Sequence, residues 1–238
     1  MLAFRQYNHP MEKRPARGMR LRRSGRGHPV APRPAAPASL TDAASTEDRI
    51  LSAFLRLAAR GGMDAATTRA IATEAGVNEV TLFRHFGDKA TLALRAVRRF
   101  SPVAELLARD PAIDASTPTR AAQGLLACLR MMSANMSVHP ELILFGVVES
   151  ARMPEVAQEV AAIPRAARAF LDRALEQSRL QLRARVDAHT TALQWHGLLF
   201  QFHLEAERGV QPRLSSEEWD RTLVSAVRAV VKKGGRLR

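Results

Sequence analysis

A single cysteine, Cys128, in 238 residues leaves no partner for an intrachain disulfide and no thiolate set for a zinc site. That usage suits a reducing compartment, and the cytoplasm is the expected location. Aromatic residues make up only 5% of the chain, and no stretch alternates apolar and polar residues as a half-buried strand does. No apolar run reaches the roughly 18 residues of a membrane span. The basic N-terminus is followed by no apolar segment of the kind a secretory signal carries. G-x-S-x-G, P-loop and H-E-x-x-H patterns are absent, and the lone cysteine has no positioned base. A helical enzyme is therefore a weak reading: no catalytic residue, cofactor or metal ion is expected. No repeat of solenoid length is present either.

What is present is helix-forming. Hydrophobic residues make up 46%, with Ala, Leu, Val and Arg abundant, a mix that favours helices over strands. Lys and Arg number 36 against 23 acidic residues, for a net charge of +13, which suits a polyanionic partner. Residues 1–45 hold nine basic residues and two acidic ones, about half of that excess. They are also rich in Pro and Gly and poor in apolar surface, so they are expected to form a disordered basic extension. As an arm, the segment would add phosphate contacts without sequence preference. As a solvated tail, or a stretch ahead of a later start at Met11 or Met19, it would add none.

From Thr46 onward the periodicity is helical. Ile50, Leu51, Phe54, Leu57 and Ala58 share one face, Ser45 or Thr46 caps the start, and Gly61-Gly62 ends the helix. Thr67 caps a short helix to about Ala75, Asn78 a third, and Asp88 a fourth running to about Arg99. Ser101-Pro102 opens another. Five longer helices are predicted at roughly 117–137, 141–150, 155–180, 187–208 and 215–233. The fold class is all-α.

The informative stretch is Thr67–Phe86, TTRAIATEAGVNEVTLFRHF. It reads as a short helix, a turn at Gly76 and a second short helix, the helix-turn-helix whose second member enters the major groove. Ala72 is small where two helices approach closely, Gly76 permits a positive φ, and Val77 and Leu82 supply the inter-helix contact. As plain mini-core residues, Ala72, Leu82 and Phe86 would fit any small helical packing. Packing alone does not place polar residues at helix starts beside a basic flank.

This pattern, followed by Lys89, resembles the DNA-binding domain of the tetracycline-repressor family over about residues 46–100. The resemblance implies a helix-turn-helix domain over 46–100 and a larger helical effector-binding and dimerisation domain over 101–238. It also implies a homodimer on a double-stranded DNA operator, most often a repressor released by a small-molecule effector, with no membrane partner. The alternative is a helical protein that binds nucleic acid unspecifically through its basic charge. Asn78, Glu79 and Val80 open the recognition helix and are expected at base edges, where Glu accepts from cytosine and Val touches a thymine methyl. Thr67, with Thr68 beside it, and Thr81, Phe83, Arg84, His85 and Lys89 are placed for the phosphate backbone. Phe83 stands where the family often has tyrosine, which removes one phosphate hydrogen bond. Thr67, Asn78 and Asp88 also serve as helix caps.

For the effector, Met132, Met136, Phe145, His196, Phe200 and His203 are candidate pocket residues, although core packing or a dimer interface is the better account of any single apolar one, and His196 and His203 suit a polar ligand contact or an interface hydrogen bond. His189, His196 and His203 recur every seven residues, about 10.5 Å apart in rise, too far for neighbours to share a metal ion. Apolar faces on the last two helices permit a four-helix dimer bundle, as the family resemblance implies.

Overall fold

In the computed structural model, residues 45–149, 152–209 and 214–234 are described; the basic N-terminal segment lies outside them. The helices run α1 Thr46–Ala65, α2 Thr68–Ala75, α3 Glu79–Phe86, α4 Lys89–Phe100, α5 Val103–Ala108, α6 Pro118–Val138, α7 Glu141–Val148, α8 Pro154–Gln177, α9 Ala188–Glu207 and α10 Ser216–Val230. Among the described residues the only β-type pairing is a bridge between Leu182 and Val231. The chain is all-α.

The helix boundaries follow from local chemistry. Ser45 Oγ accepts the Asp48 amide at 3.0 Å, and Asp88 and Asp187 cap α4 and α9 by accepting the amides three residues on. Ser215 and Glu218 form a reciprocal capping box on α10. The expected end of the first helix is a break rather than a stop. Gly61 and Gly62 leave helical geometry, Gly62 with φ of 75°, and the chain resumes helical turns to Ala65. A side chain at position 62 would be strained by that φ, and its Cβ would sit 3.1 Å from a carboxylate oxygen of buried Glu149.

Two cores organise the helices. One gathers Ile50, Leu51, Phe54, Ile71, Leu82 and Leu92 from α1–α4, and it also takes in Leu142 and Phe145 of α7 and Val156 of α8. The other joins α5, α6, α8, α9 and α10 around Leu125, Leu129, Phe170, Leu171, Trp195 and Leu199. The first core therefore extends past the 46–100 segment. Phe145 meets Phe54 edge-to-face at 5.6 Å between ring centroids, so α7 lies directly against α1. On the outside, Arg99 pairs with Asp48 through two bonds of 2.7 and 3.1 Å, and Arg98 reaches Glu159 of α8. Such exposed pairs add little each, about 0–1 kcal/mol; the buried surface carries the stability.

Phe145→Ala is expected to cost about 3–5 kcal/mol, the range for a buried aromatic truncated to a cavity, read by urea denaturation. Several acids are held below the ordinary carboxylate value: Asp48 by its hydrogen bond from Arg99, Asp220 by that from Arg130, and Asp114, at about 2, by hydrogen bonds from Ser116. Folded values lie below unfolded ones, so this stabilisation is complete above 3.8 and is lost as pH falls toward 2. A melting-temperature series across that window should decline steadily. A flat series would show that these caps and pairs contribute nothing.

Candidate nucleic-acid interface and cavity

The pair α2–α3 is set by three local devices. Thr67 Oγ1 accepts the Ala70 amide at 3.1 Å and starts α2. Gly76 takes the left-handed conformation, φ 66° and ψ 40°, while its amide and that of Val77 close on the Ala72 and Thr73 carbonyls. No atom lies within 4 Å of a Cβ placed at Gly76, so backbone geometry, and not crowding, calls for glycine. Asn78 Oδ1 then accepts the Val80 amide at 2.9 Å and starts α3.

The inner side of α3 buries Leu82 and Phe86. Its outer side carries Val80 and Phe83, 72% and 52% exposed, with exposed Asn78, Arg84 and His85. Glu79 and Thr81 are half-buried, and Glu79 accepts a hydrogen bond from the Thr68 hydroxyl at 3.3 Å. Thr68 thus braces the first residue of α3. Thr67 is exposed beside it. Lys89 is half-buried and donates to the Met63 carbonyl at 2.9 Å, so one of its N–H groups fastens the end of α1. Sequence reasoning missed Arg95, which donates to the His85 carbonyl at 3.0 Å and to Glu47 at 2.6 Å and lies over the Phe86 ring. It joins α1, α3 and α4, and no motif signals it.

A cavity of about 300 Å³ opens among α4, α6, α7, α8 and α9. Met132, Met136, His196 and Phe200 line it, together with Asn135 and His139, which the sequence reading left out. Phe145 and His203 do not line it. Phe145 is turned the other way on α7, into the first core. His203 is buried with its Nε2 3.0 Å from Ser133 Oγ, which also accepts the Trp219 indole N–H at 2.9 Å. Burial lowers the pKa of His203; burial and the nearby Arg168 charge lower that of His196. His139 stacks on Phe100 at 4.1 Å at the cavity wall. Pro164 also lines the cavity from inside α8. It has no N–H, so the Val160 carbonyl loses the helical donor that this position normally supplies. The three histidines spaced by seven have separate neighbours: Asp172 for His189, Phe200 for His196 and Ser133 for His203. Among the described residues no cluster of three or more His, Cys, Asp or Glu is arranged to hold a metal ion.

Among curated proteins no sequence matches the chain. Residues 50–96 match the family model of bacterial regulatory proteins, tetR family. Solved structures share the fold. NalD of Pseudomonas aeruginosa, the secondary repressor of the MexAB-OprM multidrug efflux pump, is 20% identical with a TM-score of 0.59, over 79% of this chain and 98% of that one. Reduced NemR of E. coli is 16% identical with a TM-score of 0.56, over 79% and 98%. FadR of Bacillus halodurans, a fatty acid degradation regulator, is 16% identical with a TM-score of 0.56, over 76% and 94%. At these identities the likeness speaks to fold, and the matched segment contains the whole helix-turn-helix described above. Residues 50–96 are thus similar to the tetR family of bacterial regulatory proteins, and the helical fold around them is shared with the solved structures above.

Proposed function

We propose that the protein is a homodimeric transcriptional regulator that represses from a near-palindromic DNA operator and is released by a small molecule bound in the α4–α9 cavity. The observation that carries this reading is the outward face of α3. Large apolar groups at Val80 and Phe83 stand in solvent beside Arg84 and His85, an arrangement with no packing purpose inside the monomer. In the major groove, Val80 meets a thymine methyl and Glu79, steadied by Thr68, accepts from a cytosine amino group. Thr67, Thr81, Phe83, Arg84, His85 and Lys89 take the phosphate positions.

Release is a population shift that the packing makes available. Leu142, Ile143 and Gly146 of α7 face the cavity while Phe145 of the same helix rests on Phe54 of α1. Phe100, at the end of α4, also lines the cavity. An occupant that displaces either helix therefore moves residues packed against the DNA-reading unit. Dimerisation is supported by an outer face of α9 and α10 rich in small residues. Leu193 is 53% exposed, Gly197 has open space where a Cβ would stand, and Thr222, Ser225, Ala226 and Ala229 edge an adjoining groove. No helix of the described residues is long and apolar enough to cross a membrane. With a DNA target, the working location is the cytoplasm, and no enzymatic step is assigned.

A gel shift against the gene's own upstream region should yield a preferred sequence at moderate salt. Arg84→Ala should weaken all sequences alike and lower the salt dependence by about one phosphate contact. Glu79→Ala should instead cost about 1–3 kcal/mol at one base position and relax preference there. Equal effects of both on every sequence would favour unspecific charge binding. Separately, Gly197→Arg, which raises helix propensity at an exposed site, should leave the melting curve intact and shift light-scattering mass to the monomer. An unchanged dimer would remove this face from the interface.

A further inference from the structure

Resting on the reading of the cavity as the effector site, its lining also fixes the electrical character of what it takes. Among the described residues that line it, none is Asp, Glu, Lys or Arg. The polar side chains are Asn135, His139 and His196. An ionised group leaves water at a cost of several kcal/mol unless a counter-charge meets it. Each of the two imidazole rings is constrained by its surroundings. Desolvation and the positive charge of Arg168 both favour neutral imidazole at His196. His139 has the Glu141 carboxylate 3.7 Å from its Nδ1, so that edge of the ring already faces a partner within the chain.

The remaining polar groups are two-sided. Asn135 offers both an amide donor and an acceptor, and a neutral imidazole offers one of each. Val160 and Pro164 add apolar surface on the α8 wall. Phe100, Met132, Leu142 and Phe200 supply the apolar body. About 300 Å³ lies at the compact end of ligand pockets.

We propose that the cavity selects an uncharged, largely apolar small molecule bearing a hydroxyl, carbonyl or aryl-amine hydrogen-bonding group, and discriminates against carboxylates, phosphates and ammonium compounds. The discrimination comes from what the walls omit as much as from what they present.

A matched dye pair tests this on the full chain: N-phenyl-1-naphthylamine, which is neutral, and 8-anilinonaphthalene-1-sulfonate, the same skeleton with an anion. The component of fluorescence that Ala161→Trp abolishes reports the cavity and sets aside binding to surface arginines. The neutral dye is expected to occupy that component more tightly than the sulfonate by roughly tenfold or more. Asn135→Lys, which places a cation on the wall, should narrow or reverse the ratio, and it decides the matter if Ala161→Trp fails a folding check by circular dichroism. The proposal falls if the sulfonate fills the cavity as tightly as the neutral dye. It falls equally if the neutral dye has no cavity-dependent signal, or if Asn135→Lys leaves the ratio unchanged. A parallel gel shift separates the two readings. Operator preference with indiscriminate dye binding sinks the ligand class alone, whereas dye selectivity without DNA preference sinks the regulator.

Discussion

The contact on which the rest of this structure depends is the edge-to-face meeting of Phe54 and Phe145. Through it, a helix from beyond residue 100 completes the core formed by α1–α4. A three-helix unit of this size buries little apolar surface alone. Leu142, Phe145 and Val156 extend that core, so the orientation of α1 is tied to the position of α7. Because α7 is also a cavity wall, one short helix of eight residues touches both the α1–α4 core and the cavity proposed to take a small molecule. Packed interiors shift between discrete arrangements and do not bend continuously, which is what a switch requires.

Much of this was legible in the sequence, for physical reasons that differ by element. The turn at Gly76 was readable because a left-handed residue between two short capped helices leaves few residue choices. Helices α6, α8, α9 and α10 were readable because long amphipathic runs between prolines, glycines and caps have one good solution. Composition alone did not place Phe145. An apolar run on α7, Leu142-Ile143-Leu144-Phe145, has no clear inner side until its neighbours are known, and both its sides turn out to be covered by different things. His203 was equally opaque, since a histidine on an apolar helix face reads the same whether it meets a ligand or a serine.

The cavity was the least legible feature. Four of its lining residues were suggested by their chemistry, but Asn135 and His139 bring polarity from positions that look like ordinary helix surface and a helix end. Pro164 was visible as a residue and silent as a signal, because a proline in a long helix marks a distortion without saying what stands opposite. Gly146 faces Val160 so closely that a Cβ there would lie 3.0 Å from a valine methyl. The narrowness of the α7–α8 approach is a tertiary fact with no local trace.

The arginines of α4 have a further consequence. Arg95, Arg98 and Arg99 are each engaged by a carboxylate, Glu47, Glu159 and Asp48, so a tally of basic residues overstates the field this unit projects toward a polyanion. Arg84 on the outer side of α3 stands apart from these three pairs, exposed and in none of them. Ion pairs of this kind shorten the reach of the charges they join, so the α4 arginines act mainly on their own neighbours and only weakly at a distance.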